Sequence, residues 1–477
     1  MEHPVSYRVP VWRVERNRLS SSVLVTKPTR DPAEGPPDDR SLDIAVVGSG
    51  ISGLSAAWLL SRRHRVVLYE ADCRLGGHSH TVDVGGLAID TGFIVFNETT
   101  YPNLTALFDH LRVATKPSDM SFAVSLDGGK LEYSSTGLPG LFAQGRNAIS
   151  PRFWRMLIDL VRFYHEAPRN AAALGLITLD EYLDAEGYGD EFRNDHLYPM
   201  AAAIWSTPAT RISAYPAAAF IRFCHNHGLL KLFDRPVWRT VAGGSRLYVR
   251  ALANAVTEVV THCEAITVRR TGTGVDIVDR AGHCRHFDQV VIATHADQAL
   301  GMLADSDPEE RELLGAFKYI ENTAVLHSDV HLMPQRRRVW SSWNYMSAHH
   351  GDDRKLAVTY WMNRLHGVES PAPLFVTLNP HRKIEPAAVV KRIQYSHPQF
   401  DAAALQAQNR LWSLQGRRRT WFCGAYFGAG FHEDGLQAGL AVAEVLGNVR
   451  RPWAVPDESG RIHIHPVLPA CQEAMAA

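Results

Sequence analysis

A chain of 477 residues exceeds one ordinary core, so two or three packed units are expected. Hydrophobic residues at 45% and charged residues at 21% exclude a disordered or fibrous chain. Fifty Lys and Arg balance fifty Asp and Glu, which leaves no general attraction for phosphate backbones and argues against a nucleic-acid role.

Residues 1–42 read as a flexible tail: Arg8, Arg13, Arg16 and Arg18 break any signal-peptide core, and Ala33 to Asp39 is a disorder-prone run. Its basic part could touch anionic lipid; an incidental extension or a misassigned start are the plainer readings. No later stretch approaches the roughly 20 apolar residues of a membrane span. The best, His196 to Thr210, is broken by Pro199 and Pro208. The six cysteines form no Cys-x-x-Cys pair, so reduced thiols, a cytoplasmic location and no structural metal are expected.

Asp43 to Val47 is a short β-branched strand that runs into Gly48-Ser49-Gly50-Ile51-Ser52-Gly53 and then a helical stretch from Leu54 to Arg63. A second strand, Arg65 to Tyr69, ends in Glu70, 20 residues beyond Gly50, where a ribose-binding carboxylate belongs. In this βαβ unit Gly48 makes the turn, Gly50 admits a pyrophosphate, and Gly53 lets helix and strand pack closely. The helix N-terminus, with Ile51 and Ser52, faces the phosphates. A second glycine cluster follows at once in Arg74-Leu75-Gly76-Gly77-His78-Ser79-His80, an arrangement that points to FAD rather than a nicotinamide cofactor.

This Glu-x-x-x-Arg-x-Gly-Gly pattern resembles the flavin amine oxidase, phytoene desaturase and protoporphyrinogen oxidase superfamily. The resemblance implies that Arg74, Gly76, Gly77 and His78 extend the pyrophosphate site toward the flavin. Val84 to Phe96 reads as two short strands around Asp90, and Thr91, Gly92 and Phe93 are similar to the superfamily segment that passes the flavin edge. Arg239 to Leu247 leads to a helix and then the strands Ala265 to Arg269 and Val275 to Val278, with Ile266 implied at the adenine. Gly272-Thr273-Gly274 between those strands is a hairpin turn rather than a second nucleotide loop. Phe287 to Thr294 is another buried parallel strand, with Thr294 at its ligand-binding end.

Near the end of the chain, Trp421 to Tyr426 reads as a strand containing Gly424. Phe431-His432-Glu433-Asp434-Gly435-Leu436 resembles the superfamily's C-terminal flavin motif. Asp434 would cap a helix to about Leu446, with Gly435 and Leu436 at its start, and its N-terminus would aim amide dipoles at the flavin. Buried Cys423 is not a flavin linkage.

Longer strings, including Asp90 to Asn97, Thr100 to Leu104, Pro117 to Phe122, Ala203 to Ser206, His225 to Leu229, Ser342 to Tyr345 and Phe431 to Gly435, are similar to a bacterial family of amine oxidase-like, NAD/FAD-binding proteins over residues 43 to 449. Genes of that family often neighbour cyclopropane-fatty-acyl-phospholipid synthase genes. The resemblance thus implies an acyl-lipid substrate and such a methyltransferase as partner, by association alone. Two departures bear on chemistry. His78 stands where arginine commonly follows the double glycine, and Glu321 to Leu326 lacks the lysine many amine oxidases place near the flavin.

The middle of the chain supplies helices, Phe153 to His165 and one from Asp180 to Glu186, and aromatic residues such as Trp205, Trp340, Trp343, Tyr345, Tyr360 and Trp361. They suit an apolar pocket, although each alone reads as core. Of the 23 histidines, the pairs His225/His227 and His463/His465 read as structural rather than metal ligands. His432, His80 and Glu433, in that order, are the candidate bases for proton loss after hydride leaves an acyl C–H. Arg336 to Arg338, Arg417 to Arg419 and Arg450 to Arg451 each precede a tryptophan, which suits peripheral contact with a lipid interface; solvated surface charge is the plainer reading for the second and third.

The expected fold is α/β. A Rossmann-like FAD-binding domain comes from 43–115, 235–300 and 417–449, a discontinuous α+β substrate domain from 116–234 and 301–416, and a tail from 450–477. The expected function is FAD-dependent oxidation or desaturation of a lipid acyl chain or similar large apolar substrate. Amine oxidation, and a non-catalytic flavin-binding partner of a lipid-modifying methyltransferase, are the alternatives.

Overall fold

The computed structural model describes residues 41–465 except 176, 206–211, 233–234 and 351–352. The expected tail over 1–40, the end of the 203–206 string, the Trp205 side chain and Cys471 lie outside the described residues.

Five parallel strands form the first sheet, in the order Glu258–Val260, Arg65–Tyr69, Asp43–Val47, Gln289–Ile292, Thr420–Phe422. Val46 and Val47 lie level with Leu68 and Tyr69 on one side and Val291 and Ile292 on the other. These strands are apolar throughout because both faces are covered. The helix Ile51–Leu60 is buried along its whole length, and so shows no polar stripe. It starts three residues before the expected Leu54, because the last residues of the Gly-rich turn already form its first turn. Against it packs the C-terminal helix His432–Gly447. A Cβ on Gly439 would sit 2.2 Å from the Ser52 carbonyl oxygen, so glycine sets that approach.

A three-stranded antiparallel sheet, Ala265–Arg270, Val275–Asp279 and Cys284–Phe287, contains the expected 272–274 hairpin. The segment expected as two strands over 84–96 folds as Thr81–Val84 and Leu87–Asp90, a loop over 91–95, and the two-residue strand Phe96–Asn97. The expected strand Trp421 to Tyr426 is shorter, ending at Phe422 before a 3₁₀ turn Ala425–Phe427.

The second large sheet has seven strands, ordered Val389–Gln399, Lys318–His327, Phe375–Leu378, Asp353–Trp361, Trp343–His350, Phe122–Leu126, Leu131–Ser134. All neighbours are antiparallel except Trp343–His350 with Phe122–Leu126. A helical lobe of Pro151–Asn170, Leu179–Ala185 and Ala217–Asn226 packs its own core of Phe163, Tyr182, Phe192 and Phe220. One turn of π-helix, Arg193–Leu197, interrupts it. Such turns often mark functional sites.

Two expected boundaries shift. Leu313, Leu314 and Phe317, and Phe400, Ala404, Leu411 and Trp412, join the core of the parallel sheet, so the flanks of 301–416 pack with the cofactor side. Residues 450–465 are no loose tail. Arg451 is buried and holds Glu444 through two bonds of 2.8 Å, while Trp453 stacks on Trp58 at 5.9 Å. No helix among the described residues is long and apolar enough to cross a membrane.

Candidate active site

One cavity of about 1340 Å³ runs from the carboxyl ends of the parallel strands, past the seven-stranded sheet, into the helical lobe. Pockets for a single small ligand span roughly 300 to 1,000 Å³, so this one has room for a dinucleotide and a substrate together.

The dinucleotide end is built as the motif requires. Gly48 has φ +100° and donates its N–H to the Tyr69 carbonyl at 2.9 Å, turning the chain from strand to helix. A Cβ on Gly53 would lie 1.9 Å from the Gly48 oxygen, whereas one on Gly50 would meet nothing within 4 Å. Gly53 therefore serves packing, away from the cavity wall, and Gly50 leaves an open cradle beside Ile51 and Ser52 on that wall. Glu70 is fixed at the rim: its carboxylate accepts the Ser49 N–H at 3.1 Å, the Ser49 hydroxyl, and the Asp72 N–H at 2.9 Å. Gly76 donates its N–H to the Ser49 oxygen at 3.0 Å, which brings Gly77 against Gly50. Ile266, Thr294 and Gly424 also line the wall. This open cradle with a carboxylate at its rim and a helix N-terminus behind it fits the ribose and pyrophosphate of FAD.

Beyond it, Thr91, Gly92 and Phe93 line the cavity, and the Phe93 N–H donates to the His78 oxygen at 2.8 Å. His78 stacks on Tyr395 at 4.9 Å, and its buried Nε2 has no hydrogen-bond partner among the described residues. Asp90 lies behind the wall. It accepts the Ser245 N–H at 3.0 Å and the Thr81 hydroxyl at 2.6 Å, tying the 239–247 loop to the 91–93 segment.

Several expected site residues do not reach the cavity. Arg74 is off its wall, with Nε 3.5 Å from Asp72. His80 is buried behind Tyr395, whose hydroxyl lies 3.2 Å from its Nδ1, and burial depresses its pKa to about 4. Glu433 is fully buried. Its carboxylate accepts the Asn103 N–H at 3.0 Å, the Asn103 amide at 2.9 Å, the Leu104 N–H at 3.0 Å and the Gln437 amide at 3.0 Å. It caps the helix Pro102–Leu111 and has no role as a base. Asp434 is not the N-cap residue; it reaches back to accept the Phe431 N–H at 2.7 Å and meets Arg461 at 3.2 Å. Gly435 and Leu436 are buried behind it, and Gly435 admits the Ser52 hydroxyl, which a Cβ would crowd at 2.8 Å. At this helix the wall is Gly430, Phe431 and His432 instead.

His432 does face the cavity. Its ring lies flat on Phe93 at 3.9 Å, its Nε2 is 2.7 Å from the Tyr248 hydroxyl, and Tyr248 in turn bonds Ser79. Burial brings its pKa down to about 3, so it is neutral. His227, read from sequence as structural, also lines the cavity. Its Nδ1–H donates to the Phe223 oxygen at 2.9 Å, which leaves a buried Nε2 lone pair with no partner among the described residues. Phe223 lies 4.0 Å from its ring and 4.6 Å from Phe431, so His227 flanks the C-terminal motif. Sequence reasoning also missed Tyr395 and His397, which alternate along the edge strand Val389–Gln399, and His295 with Tyr319. Asn322, in the stretch without the lysine, donates to His397 Nδ1 at 2.8 Å.

Apolar groups dominate the lobe beyond the flavin motifs: Met120, Phe122, Met200, Ile204, Leu229, Trp238, Trp343 and Tyr360. The acidic residues on the wall are Glu70, Asp119 and Glu264. Asp119 holds Arg364 at 2.9 Å and Ser342 at 2.8 Å, and Glu264 holds Arg280 through bonds of 2.5 and 2.6 Å. No carboxylate there is left over for a bound cation. Cys423 is buried and burial pushes its thiol far up, so it is not reactive. Among the described residues no group of three or more His, Cys, Asp or Glu is placed to hold a metal ion.

Some arginines of the basic clusters form ion pairs: Arg417 and Arg418 pair with Asp307 at 2.8 and 3.2 Å, Arg450 and Arg451 share Glu444, and Arg336 meets Glu132 at 2.8 Å.

Residues 51–342 match the model of the family described as flavin containing amine oxidoreductase. A Mycobacterium tuberculosis protein bearing the name of a flavin-containing monoamine oxidase, AofH, is 27% identical over 252 residues, 51% of this chain and 54% of that protein. The match thus spans about half the length of this curated relative. Among solved structures, a triple mutant of putrescine oxidase superposes with a TM-score of 0.64 at 14% identity, covering 85% of this chain and 98% of that one. A CLA-producing fatty acid isomerase from P. acnes superposes with a TM-score of 0.60 at 14% identity, covering 85% and 98%. At such identity the likeness speaks for the fold, which these proteins share with this chain.

Proposed function

The chain belongs to the flavin containing amine oxidoreductase family, and we propose that it is an FAD-dependent oxidoreductase that oxidises, by desaturation, an acyl chain or similar large apolar substrate. The observation that carries the reading is the continuity of the cofactor cradle with an apolar lobe whose wall, among the described residues, offers no uncommitted carboxylate. FAD, when bound, supplies the hydride acceptor.

The chain's own residues do the rest. Met120, Phe122, Trp238 and Trp343 exclude water and hold an apolar chain against the flavin motifs. Loss of hydride from a C–H leaves cationic character, and the adjacent proton becomes strongly acidic. A weak base therefore suffices. His227 lines the cavity with its tautomer fixed by Phe223 and its buried Nε2 unpartnered among the described residues, and is the proton acceptor in this reading. His432, with Nε2 engaged by Tyr248, positions Phe93 and the 91–93 segment.

The second reading, amine oxidation, draws on the family match and on the names of AofH and putrescine oxidase. One anaerobic experiment separates them: FAD-loaded protein is mixed with unsaturated acyl lipids and, separately, with a panel of amines, and the visible flavin band is followed. Bleaching by lipid supports the proposal; bleaching by amines alone replaces it with amine oxidation. No bleaching by either favours a flavin-binding role without turnover.

A further inference from the structure

Within the helical lobe the cavity wall carries a polar cluster around His196. His196, in the π-helical turn, has Nδ1 2.9 Å from the Tyr133 hydroxyl and Nε2 3.2 Å from the Tyr164 hydroxyl. The Tyr133 hydroxyl also lies 2.8 Å from the Asp195 carbonyl. Tyr164, His196 and Arg235 line the cavity, and Arg235 is exposed at its edge. Arg235 is the charge that both Tyr164 and His196 feel after burial itself. Among the described residues, its side chain has one hydrogen bond, from Nε to the Lys231 carbonyl at 2.6 Å, and no carboxylate partner.

Proton arithmetic shows what this cluster can receive. Burial keeps His196 neutral, so it has one N–H and one lone pair. If Tyr133 donates to the Asp195 oxygen, His196 Nδ1–H donates to Tyr133 and Nε2 accepts from Tyr164. If Tyr133 donates instead to Nδ1, Nε2–H donates to the Tyr164 oxygen and the Tyr164 proton is released toward the cavity. In the first arrangement the Tyr164 proton lies on His196 Nε2 at 3.2 Å; in the second its other neighbour in the protein is Met200 Sδ at 3.8 Å. In the second arrangement the cluster offers an acceptor ligand a hydroxyl donor beside a guanidinium whose terminal nitrogens have no hydrogen-bond partner among the described residues.

We propose that Arg235 and Tyr164, with His196 behind Tyr164, form a carboxylate site, and that the substrate is a free long-chain fatty acid whose head rests there while its tail runs along the apolar wall. This rests on the apolar-substrate reading above and deepens it. One guanidinium and neutral donors match a single negative charge with two oxygens. A phosphate dianion or an ammonium finds no such match. An esterified acyl chain has no charge to place there.

The test is equilibrium binding to the FAD-loaded protein, read from perturbation of the flavin spectrum below the aggregation limit of each probe: oleic acid, methyl oleate, oleylamine and oleyl phosphate. Oleic acid should bind about tenfold or more tighter than methyl oleate, the usual scale for a charge-assisted pair. Arg235→Gln should erase that preference and Arg235→Lys should restore part of it. Tyr164→Phe should weaken oleic acid about threefold or more without moving methyl oleate, as loss of one hydrogen bond implies. Equal binding of acid and ester, or equal losses on both in Arg235→Gln, would overturn the carboxylate site and leave the apolar reading standing. Preference for oleylamine or oleyl phosphate would overturn it in favour of that head group. If no probe perturbs the flavin, both readings fall together.

Discussion

The three glycines of the first motif should separate cleanly when each is given a methyl group. On Gly50 a Cβ points into open cavity and meets no protein atom within 4 Å, and the backbone there, φ −63° and ψ 176°, suits any residue. The apo protein should therefore lose at most about 1 kcal/mol, the scale of replacing a helix N-cap glycine by alanine. The methyl occupies the space a pyrophosphate needs, so FAD affinity should fall tenfold or more. With FAD held at 100 times the wild-type Kd, ligand stabilisation of about 2.7 kcal/mol would drop to about 1.4 for a tenfold loss and about 0.4 for a hundredfold loss. On Gly53 the same methyl lands 1.9 Å from a backbone oxygen and forces helix and strand apart, costing about 1 to 3 kcal/mol or more before any ligand is added. Thermal melts of the apo and FAD-saturated forms, with a fluorescence titration of FAD, read both quantities. The reasoning fails if Gly50→Ala keeps the full FAD-induced shift, or if its apo form is as damaged as that of Gly53→Ala.

Glu433→Ala should cost about 3 to 5 kcal/mol, because buried donors on Asn103 and Leu104 lose their acceptor; a variant of near-normal stability that no longer bleaches would return Glu433 to catalysis. His227→Phe should retain the yellow colour but slow substrate-dependent bleaching about a hundredfold, the lower end for a lost general base; unchanged bleaching in stopped flow would remove His227 from the mechanism. Arg451→Ala leaves Glu444 with Arg450 alone and removes the buried guanidinium from Asn103, and should destabilise by about 3 kcal/mol in urea melts; a loss below half of that would mean the 450–465 segment is dispensable. His196, His227 and His432 titrate near 3, and His397 near 4, in the folded protein against 6.5 when unfolded. The unfolded chain thus binds more protons between those values, so stability should be full above about pH 6.5 and fall as pH drops toward 4. A melting temperature flat over that interval would contradict neutral burial.

The cofactor half of the molecule was legible because its signals are local. Strand, glycine turn, helix and Glu70 fall within 28 residues, and each needs only neighbours in sequence to be recognised. Glu433 and Asp434 misled for the same reason. Inside a flavin motif they read as chemistry, yet Glu433 is bonded to Asn103, 330 residues away, and Asp434 to Arg461, beyond the end of its own helix. Tyr395, His397, His227 and Tyr164 had no local signature, since the cavity is where the edge of one sheet, the helical lobe and the C-terminal helix meet. One signal for His227 was present: it is followed by Gly228, at φ +66°, which closes its helix and turns the chain toward the cavity wall at Leu229. Arg336, Arg417 and Arg418 of the basic clusters pair with Glu132, Asp307 and Asp305, partners more than 100 residues away that the clusters themselves do not reveal.

The charge state of the cavity also decides what an amine would have to do there. Among the described residues every carboxylate on its wall is already bonded, and burial keeps the histidines around it neutral. An alkylammonium would enter without a counter-ion and lose its hydration, which is prohibitive for a naked charge. It would have to bind as the free base. With an ammonium pKa of about 10.4, only about one molecule in 2,500 is neutral at pH 7, a handicap of about 4.6 kcal/mol. Amine-dependent flavin reduction should therefore rise nearly tenfold per pH unit up to about pH 10, whereas reduction by an apolar chain should not follow that slope. A rate with amines that is fast and flat from pH 6 to 8 would mean that a wall carboxylate gives up its present partner to receive the ammonium. Asp119, which faces the apolar lobe while Glu70 and Glu264 lie at the dinucleotide end, would be the first to examine.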